Sequence, residues 1–360
     1  MKLAVLGDTH LGVRQDSPVF HDYQRKFYEN VFFPRLIENG VTTVIQTGDI
    51  FDRRKFGNFN TIQMAREYFF EPFRKHGIKL ITYLGNHDIY YKNTLKVNSP
   101  ELLLGDYILQ GVVQVIKTPT TLDFDGVKVD VIPWICTEND AEIAAFIKST
   151  KSQIVFGHFE ISGFEMDSGI MCQEGMDRSS LDNYDIVMSG HFHHKSTDGH
   201  IWYVGSPCEY TWSDYADPRG FHWFDTETRD LTFIRNPYTI HEKIEFDESK
   251  ETIETIRQKD FKEYQGKIVK VLVKNKEDPL IFDSYMSRLM EANPHEVNVI
   301  ENYTESENLD EELAQADSTQ DIIKKYIDGL DIGLNKDKLK SIIIDIHNEA
   351  QSMGSFGEES

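Results

Sequence analysis

The sequence predicts an α/β fold in which helices cover mixed β-sheets, followed by a smaller module. From residue 1 to about 235, short apolar runs rich in β-branched residues end in glycine-containing turns, which is the pattern of buried strands. Amphipathic stretches with apolar residues at spacings of three to four lie between several of these runs. Strands that alternate with helices early in the chain, followed by closely spaced strands, are typical of a layered sandwich with mixed sheets.

The predicted strands of this region are Lys2–Leu6, Thr42–Gln46, Lys79–Tyr83, Val112–Ile116, Lys128–Ile132, Gln153–Phe156, Ile186–Met188, Ile201–Val204, Phe221–Phe224 and Leu231–Ile234. The predicted helices span 21–38, 59–75 and 139–149. Beyond Pro237 the pattern changes, and a second, smaller α/β module is predicted from a strand at Lys267–Lys274, a helix at 279–292 and a strand at Glu296–Tyr303.

These patterns divide the chain into a core, a small module, an acidic linker, a helical pair and a tail, at residues 1–237, 238–303, 304–318, 319–351 and 352–360. The helical pair has two apolar faces that two short helices cannot both bury by themselves. We therefore expect it to dock a partner protein. The alternative, that the pair packs back onto its own domain, stays open.

Composition limits what the chain does. No apolar run approaches the roughly 18 residues of a membrane span, and Met1–Leu6 leads directly into a strand, so we expect neither an anchor nor a signal peptide. The cysteines are too few and too widely separated for a disulfide framework, which suits a reducing cytoplasm. The formal net charge of −22 is unusual for a protein that holds nucleic acid alone, so any contact with nucleic acid would depend on local clusters, metal ions or a partner.

Five motifs place a glycine and a potential metal ligand directly after a predicted strand. In Gly7-Asp8-Thr9-His10, Asp8 and His10 lie two residues apart in extended backbone, point the same way and can chelate one ion. In Gly48-Asp49-Ile50-Phe51-Asp52, the Asp49 carboxylate can bridge two ions. For Asp52 we expect a supporting role behind a ligand or the capping of the next helix.

The third motif is Gly85-Asn86-His87-Asp88. The amide oxygen of Asn86 suits a hard cation. His87 projects differently and can face the substrate, where it would donate a proton to a leaving oxygen or stabilise charge on a phosphate. Asp88 is expected to hold the His87 ring in orientation.

The last two motifs are Gly157-His158 and Gly190-His191-Phe192-His193-His194. His191 and His193 lie on one side of an extended segment and can serve adjacent ions, whereas His194 points away and has no assigned role. Five strands ending at one sheet edge would collect two carboxylates, one amide and four imidazoles. That donor set favours a pair of manganese, iron or zinc ions over magnesium alone, and such a pair can hydrolyse phosphate esters.

Four basic side chains near the motifs, Arg14, Arg53, Arg54 and Lys55, are candidates to hold phosphates of the substrate. A solvated loop is the equally good alternative for them.

These motifs resemble those of the calcineurin-like metallophosphoesterase superfamily. Within it, Asp8–Gly12, Gly48–Asp52, Gly85–Asp88 and Gly190–His193 are most similar to the SbcD-type recombination nucleases and their phage counterparts. Val131–Trp134 and Asp217–Phe221 extend the resemblance, which covers residues 1–235 well and the remainder more loosely.

The resemblance implies a site with one ion on Asp8, His10 and His193, a second on Asn86, His158 and His191, a bridging Asp49 and a catalytic His87. It also implies a four-layer α/β/β/α core and a capping domain at 238–303 over the DNA path. The activity implied is a manganese-dependent DNA nuclease, with magnesium as the alternative ion. It would act as a 3′-to-5′ exonuclease on duplex DNA and an endonuclease on single strands, in DNA recombination, repair and replication.

The assembly implied by the resemblance is a homodimer within a heterotetramer. The partner would be an SMC-like ATPase of the SbcC type, docked through the helical segment at 319–351, in the cytoplasm of a bacterial or phage-infected cell. A membrane role is not expected.

Two rival functions deserve a test. A phosphatase or small-molecule phosphodiesterase could use the same scaffold, but serine/threonine phosphatases of the superfamily carry Asn-His-Glu and Asp-Arg-Gly where this chain has Asp88 and Asp52-Arg53-Arg54. A non-enzymatic scaffold would be expected to have lost ligands, and every ligand position is kept here.

Overall fold

The computed structural model describes residues 1–167, 170–173 and 175–301. Its strands, numbered in chain order, are β1 (Lys2–Leu6), β2 (Thr43–Gln46), β3 (Lys79–Tyr83), β4 (Val113–Ile116), β5 (Thr120–Phe124), β6 (Val127–Ile132), β7 (Ile154–Gly157), β8 (Glu165–Asp167), β9 (Ile170–Met171), β10 (Ile186–Ser189), β11 (Ser196–Thr197), β12 (Ile201–Tyr203), β13 (Gly220–Asp225), β14 (Leu231–Arg235), β15 (His241–Asp247), β16 (Ile268–Asn275) and β17 (Glu296–Ile300).

The α- and π-helical segments, apart from a single turn at Val13–Asp16, are Pro18–Phe27, Tyr28–Phe32, Phe33–Glu38, Phe59–Ala65, Arg66–Phe70, Glu71–His76, Ser99–Leu103, Gly105–Leu109, Asp140–Ser149, Ile253–Gln258 and Pro279–Met290. Short 3-10 helices lie at Arg178–Leu181, Trp212–Asp214, Glu248–Lys250 and Lys262–Tyr264. Tyr28–Phe32 and Arg66–Phe70 are wound with the wider π spacing. Each of them ends two residues before a proline, Pro34 or Pro72. A proline ring and its missing N–H do not fit an uninterrupted α-helix, so the wider turn accommodates them.

Most strands belong to two six-stranded sheets. The first has the order β14-β13-β1-β2-β3-β4. Strands β1 to β4 are parallel, β13 pairs antiparallel with β1, and β14 pairs antiparallel with β13. The second has the order β11-β12-β10-β7-β6-β5, in which β12, β10, β7 and β6 are parallel and the two edge strands are antiparallel. Both sheets are therefore mixed, as the sequence predicts.

Alternation along β1 shows how the layers form. Leu3 and Val5 are fully buried in the core between the two sheets, where they meet residues of β6, β7 and β10. Ala4 and Leu6 are fully buried on the other face of the first sheet, in the core that it shares with the helices of residues 18–38 and 59–76. Successive side chains of a strand point to opposite faces, so a fully apolar strand lies between two layers.

The second sheet is covered in the same way. Val155 and Val187 point away from the first sheet and pack against Ile143 and Ile147 of the helix Asp140–Ser149. The layers are thus helix, sheet, sheet and helix, and the predicted four-layer α/β/β/α core is confirmed.

The small module consists of β15, β16 and β17 with the helices Ile253–Gln258 and Pro279–Met290. Its strands form a parallel sheet. Phe246 packs against Phe282 and Tyr285 of the covering helix, with ring centroids 5.1 and 5.0 Å apart. Strand β15 was not predicted, because its charged and apolar residues alternate without a long β-branched run. The linker, helical pair and tail predicted at 304–318, 319–351 and 352–360 lie outside the described residues.

Candidate metal centre

Four of the predicted ligands follow strands of the first sheet. Asp8 and His10 come directly after β1, Asp49 after β2 and Asn86 after β3. These three strands are neighbours and parallel. Their carboxyl ends lie at one edge of the sheet, so the four side chains meet there.

The remaining ligands follow strands of the second sheet. His158 comes directly after β7, and His191 and His193 come shortly after β10, which is the parallel neighbour of β7. The face-to-face packing of the sheets brings this edge against the first one. The site therefore lies where the carboxyl ends of both sheets meet.

One donor cluster consists of Asp8, His10 and His193, whose ligand atoms lie within 4.8 Å of one another. The Nε2 atoms of His10 and His193 are 3.0 Å apart, and the Asp8 carboxylate lies 4.0 Å from His193 Nε2. Asp8 and His10 are buried. We call this the first cluster.

The second cluster consists of Asp49, His158 and His191, again with ligand atoms within 4.8 Å. The side-chain oxygen of Asn86 lies 2.9 Å from His158 Nε2 and 3.0 Å from His191 Nδ1, so Asn86 belongs to this cluster. The other nitrogen of His158 donates to the carbonyl of Thr47 at 2.7 Å, which directs Nε2 at the site.

Asp49 lies between the clusters. Its Oδ2 atom is 3.4 Å from His158 Nε2 and 3.8 Å from His10 Nε2. A carboxylate in this position can contact an ion on either side. The structure thus brings together all seven residues that were predicted as ligands.

The charges of the site favour a bound cation. Burial, aided by Asp49 and opposed by His158, raises the pKa of Asp8 to about 6. Burial alone would lower the pKa of His10, but nearby carboxylates, Asp52 first among them, raise it to about 9. Asp49 and Asp8 raise the pKa of His158 to about 9 in the same way, against the effect of burial. Buried carboxylates that attract positive charge so strongly, beside imidazole and amide donors, fit a pair of divalent ions.

Several of the predicted ligands adopt a left-handed backbone conformation. The φ angles of His10, Asp49 and His191 are 39°, 55° and 85°, a region that costs free energy for residues other than glycine. Hydrogen bonds hold these turns: His10 N–H donates to the Asp49 carbonyl at 3.0 Å, and His191 N–H donates to the Asp8 carboxylate at 2.9 Å. Gly190 is required because a Cβ atom there would lie 2.5 Å from the Asp8 carboxylate.

His87 faces the first cluster. Its ring centroid is 4.8 Å from that of His10, and its backbone N–H donates to Asp49 Oδ1 at 2.7 Å. Its Nδ1 lies 2.7 Å from the Asp52 carbonyl oxygen. With Nδ1–H donating to that carbonyl, Nε2 is the nitrogen left for a substrate.

The predicted role of Asp88 was wrong in its detail. Its carboxylate does not hold the His87 ring, which the Asp52 carbonyl orients instead. The Asp88 carboxylate is fully buried and accepts hydrogen bonds from the backbone of Gly85, Asp49 and Ile50. It therefore supports the turns that carry the predicted ligands rather than the His87 ring.

For Asp52 the structure selects one of the two expectations. Its carboxylate lies 3.4 Å from His10 Nδ1, behind a predicted ligand. The next helix, Phe59–Ala65, is capped by Asn58, whose side chain accepts from the Asn60 N–H at 2.8 Å.

The four predicted phosphate-binding residues lie near the site but differ in their partners. Arg14 donates to the Tyr210 carbonyl at 2.8 Å, Arg53 pairs with Asp16 at 2.9 Å and Arg54 donates to the Asn86 carbonyl at 2.6 Å. Lys55 is exposed and has no polar partner among the described residues. The loop of residues 52–58 is thus anchored beside the candidate metal centre. Of its three basic side chains, Lys55 is the one without a polar partner in the part of the chain that the structure describes.

The aromatic side chains near the motifs differ in their burial and in their contacts with the donor clusters. Trp134 packs against the rings of His191 and His158, at 5.1 and 5.8 Å between centroids, and so forms a wall of the second cluster. Tyr90 and Tyr91 are exposed and contact each other. His194, which had no assigned role, pairs with Asp217 at 2.9 Å.

Two residues that support the first cluster were not identified from the sequence. The Tyr210 hydroxyl donates to the carbonyls of Asp8 and Thr9, at 2.9 and 2.8 Å. Arg219 donates to the His193 carbonyl. The Asp217–Phe221 motif marked the position of Arg219 without suggesting this contact, and no local signal marks Tyr210.

Comparison with known proteins agrees with the geometry. Residues 1–195 match the family described as calcineurin-like phosphoesterase. The chain belongs to the calcineurin-like phosphoesterase family. It is 36% identical over 332 residues to exonuclease subunit 1 of Enterobacteria phage T4, which covers 92% of this chain and 93% of that protein. It is 23% identical over 261 residues to the SbcD subunit of the SbcCD nuclease of Staphylococcus epidermidis, covering 65% and 69% of the two chains.

Among solved structures, one of an archaeal phosphodiesterase aligns with 66% of this chain and 100% of its own, at 15% identity and a TM-score of 0.34. Calcineurin-like phosphoesterases are hydrolases with binuclear metal sites, and the two donor clusters are the candidate for that site here. Throughout the described part of the chain, every helix is too short or too polar to cross a lipid bilayer.

Proposed function

We propose that the chain is a manganese-dependent DNA nuclease, with 3′-to-5′ exonuclease activity on duplex DNA and endonuclease activity on single strands. The observation that carries this proposal is the pair of donor clusters that meet at the Asp49 carboxylate. Similarity to a phage exonuclease subunit along 92% of the chain supports DNA as the substrate. The roles we propose for it are DNA recombination, repair and replication.

Two divalent ions at such a site would activate water and offset the charge of a phosphodiester. The ligands proposed for them are Asp8, His10 and His193 on one side, Asn86, His158 and His191 on the other, and Asp49 between. Manganese suits this mixture of carboxylate, amide and imidazole donors, whereas magnesium prefers oxygen alone and is the second choice.

His87 is the proposed catalytic histidine. The Asp52 carbonyl fixes its ring through Nδ1, so that a protonated Nε2 can give its proton to the departing sugar oxygen. Asp49 Oδ1 holds the backbone N–H of His87, which ties the position of the ring to the metal centre. Asp88 contributes indirectly, because it shapes the turns before Asn86 and around Asp49.

The DNA would lie across the edge of the sheets, against the loop of residues 52–58 and beneath the small module as a cap. Arg14, Arg53, Arg54 and Lys55 are the proposed phosphate contacts. The net charge of −22 gives little general attraction for DNA, so we propose that a partner also holds it. The partner proposed is an SMC-like ATPase of the SbcC type, docked through residues 319–351.

We propose a homodimer, within a heterotetramer with that ATPase. Its support is the exposure of apolar side chains on the helices Phe59–Ala65 and Ser99–Leu103, where Phe59 is 87% and Leu102 71% exposed. Exposed apolar side chains on adjacent helices are typical of subunit contacts. The compartment proposed is the cytoplasm of a bacterial or phage-infected cell, where its DNA substrates would be.

The central test compares cleavage of linear duplex DNA, circular single-stranded DNA and a phosphopeptide with manganese or magnesium. We expect cleavage of both DNAs with manganese and no phosphate release from the peptide. The variant His87→Gln should lose at least about 100-fold in cleavage rate, since a general acid typically contributes that much, while its manganese content stays near that of the wild type. His76→Gln, which changes an exposed histidine, is the matched control.

Release of phosphate from the peptide without DNA cleavage would favour a phosphatase. Normal DNA cleavage by His87→Gln would show that the catalytic assignment is wrong. The partner is tested separately, by mixing the chain with an SMC-like ATPase, with and without residues 319–360, and measuring degradation of open and blocked DNA ends. Only the full chain is expected to respond to the ATPase.

A further inference from the structure

The segment Glu209–Arg219 lies between the first cluster and the small module, and we call it the coupling segment. Its two ends contact different parts of the protein. Arg219 and Tyr210 reach the backbone of the predicted ligands of the first cluster. Glu209 and Trp212 contact the small module.

Arg219 is the most constrained side chain of the segment. It is 4% exposed, and its guanidinium donates to Asp214 at 2.7 Å, Asp217 at 2.8 Å and the Ser206 hydroxyl at 2.9 Å. Its remaining contact is the carbonyl of His193. A planar guanidinium with several donors can hold two carboxylates and a carbonyl at once, which a lysine ammonium on a flexible stem cannot do in the same geometry.

Tyr210 fixes the other side of the first cluster. Its hydroxyl donates to the carbonyls of Asp8 and Thr9, and its ring centroid is 5.5 Å from those of both His10 and His193. The backbone N–H of Tyr210 donates to Asp214 at 2.5 Å. Asp214 thus links Tyr210 to Arg219, and the two act on the first cluster as one unit.

The same segment is attached to the small module. The Glu209 carboxylate is buried and accepts from the backbone of Ile240 at 2.9 Å and of His241 at 3.0 Å, where β15 begins. Trp212 packs on the His241 ring at 4.8 Å between centroids.

Lys270 of β16 adds a second contact with Trp212. Its Nζ atom lies 4.1 Å from the centre of the indole ring. Lys270 is buried, and Nζ has no hydrogen-bond partner among the described residues. The indole face is therefore its compensating contact, so the module and Trp212 depend on each other.

The second cluster is supported differently. His158 is oriented by the Thr47 carbonyl, and Trp134 packs against His158 and His191. Within the described part of the chain, the hydrogen bonds and ring contacts of these side chains involve neither the module nor the coupling segment. The two clusters therefore differ in their connection to the module.

We propose that Arg219, Tyr210 and Trp212 are positioning residues that make ion binding at the first cluster depend on the docked position of the small module. Movement of β15 and β16 would be passed through Trp212 to Asp214 and Arg219, and so to the carbonyl of His193. Ion binding at the second cluster would not change. The inference rests on the metal centre of the proposed function.

The test measures manganese binding to the full chain by titration calorimetry, without DNA and without turnover. The variants are Arg219→Lys and Trp212→Leu. Their matched controls are Arg229→Lys, a half-buried arginine paired with Asp185, and Trp202→Leu, on β12. His193→Ala identifies which binding step belongs to the first cluster.

We expect wild-type protein to bind two ions. Arg219→Lys and Trp212→Leu should lower the manganese affinity of the first cluster by about tenfold or more, which is the usual effect of removing a group that orients a ligand. The manganese affinity of the second cluster should change less than about twofold. The controls should bind both ions as the wild type does.

Equal weakening of both ions, or of neither, would overturn the inference while leaving the proposed function in place. Wild-type protein that binds no manganese would instead overturn the proposed function, and the inference with it. If Arg219→Lys fails to fold, Trp212→Leu decides the question, because that variant alters the module contact and leaves the buried guanidinium of Arg219 and its partners in place.

Discussion

Asp88 accepts hydrogen bonds from the backbone N–H of Asp49 at 2.7 Å and of Ile50 at 3.0 Å, so a side chain from the third motif shapes the turn that carries the second. A third bond, from Gly85 N–H at 2.9 Å, closes the turn before Asn86. One buried carboxylate thereby fixes two segments that both supply predicted ligands. Its two oxygens accept from three amide groups, which an asparagine side chain with one acceptor oxygen cannot do.

The first prediction concerns Asp88. Asp88→Asn should lower the free energy of unfolding by about 2–4 kcal/mol, because it places an amide N–H₂ against a buried backbone donor. Manganese affinity should fall as well, since the left-handed turn at Asp49 loses its support. Urea unfolding and manganese titration measure the two effects. Unchanged affinity in a folded variant would show that the turn is held without Asp88.

The second prediction concerns Lys55. Lys55→Ala should weaken binding of duplex DNA several-fold and reduce the slope of log affinity against log salt by about 1, the effect of losing one phosphate contact. Manganese content should not change. Fluorescence anisotropy at several salt concentrations measures the slope. Lys75→Ala, an exposed lysine in the helix Glu71–His76, is the control and should keep the wild-type slope.

The third prediction concerns pH and His222. This histidine is buried beside Phe233, and its Nδ1 has no hydrogen-bond partner among the residues described. Burial, with a smaller effect of Lys195, lowers its pKa to about 3. His222 takes up a proton near pH 6.5 in the unfolded chain but not in the folded protein. Proton uptake therefore favours the unfolded chain below pH 6.5, so the folded protein has its full stability above pH 6.5 and loses stability as the pH falls toward 3.

His222→Leu removes that proton uptake. Between pH 7.5 and pH 5 the unfolding free energy of the variant should therefore fall by about 2 kcal/mol less than that of the wild type. Urea unfolding at the two pH values provides the comparison, and other histidines contribute equally to both proteins. His76→Gln should behave as the wild type. Identical pH dependence of His222→Leu and wild type would refute the assignment.

The fourth prediction concerns Asp130 of β6, which is fully buried. Its carboxylate accepts hydrogen bonds from four hydroxyl groups, those of Thr121, Thr150, Ser152 and Tyr184. Asp130→Ala leaves the buried hydroxyl groups of Ser152 and Tyr184 without an acceptor and should cost about 3–5 kcal/mol of unfolding free energy. Asp123→Ala, an exposed aspartate of β5, should cost less than about 1 kcal/mol. Similar losses for both would contradict the network.

The meeting of the predicted ligands of the first sheet could be foreseen because their strands follow a simple rule. Parallel strands place their carboxyl ends at one edge, so Asp8, Asp49 and Asn86 had to meet once β1, β2 and β3 were recognised as strands. The prediction that all five strands end at one edge of a single sheet was wrong, because β7 and β10, which precede His158 and His193, belong to a second sheet. Whether the two edges meet depends on how the two sheets pack, which strand periodicity does not specify.

Other features depend on contacts between distant residues. Asp88 follows His87, so an orienting role was the natural prediction, yet its partners are backbone amides 38 and 39 residues away. Tyr210 contacts the Asp8 carbonyl across 202 residues. Strand β5 was missed although Asp125-Gly126 marks a tight hairpin turn, with φ of 54° and 89°, because its alternation of exposed and buried residues is that of an edge strand.

Each donor cluster takes side chains from both sheets: Asp8 and His10 of the first cluster follow the first sheet, and His193 follows the second. Ions bound there would tie the two halves of the sandwich together along their shared seam. Chelation would then do more than stop catalysis, because it would withdraw binding free energy from the folded state and lower the melting temperature. The supply of metal ions would thus affect the stability of the protein as well as its activity.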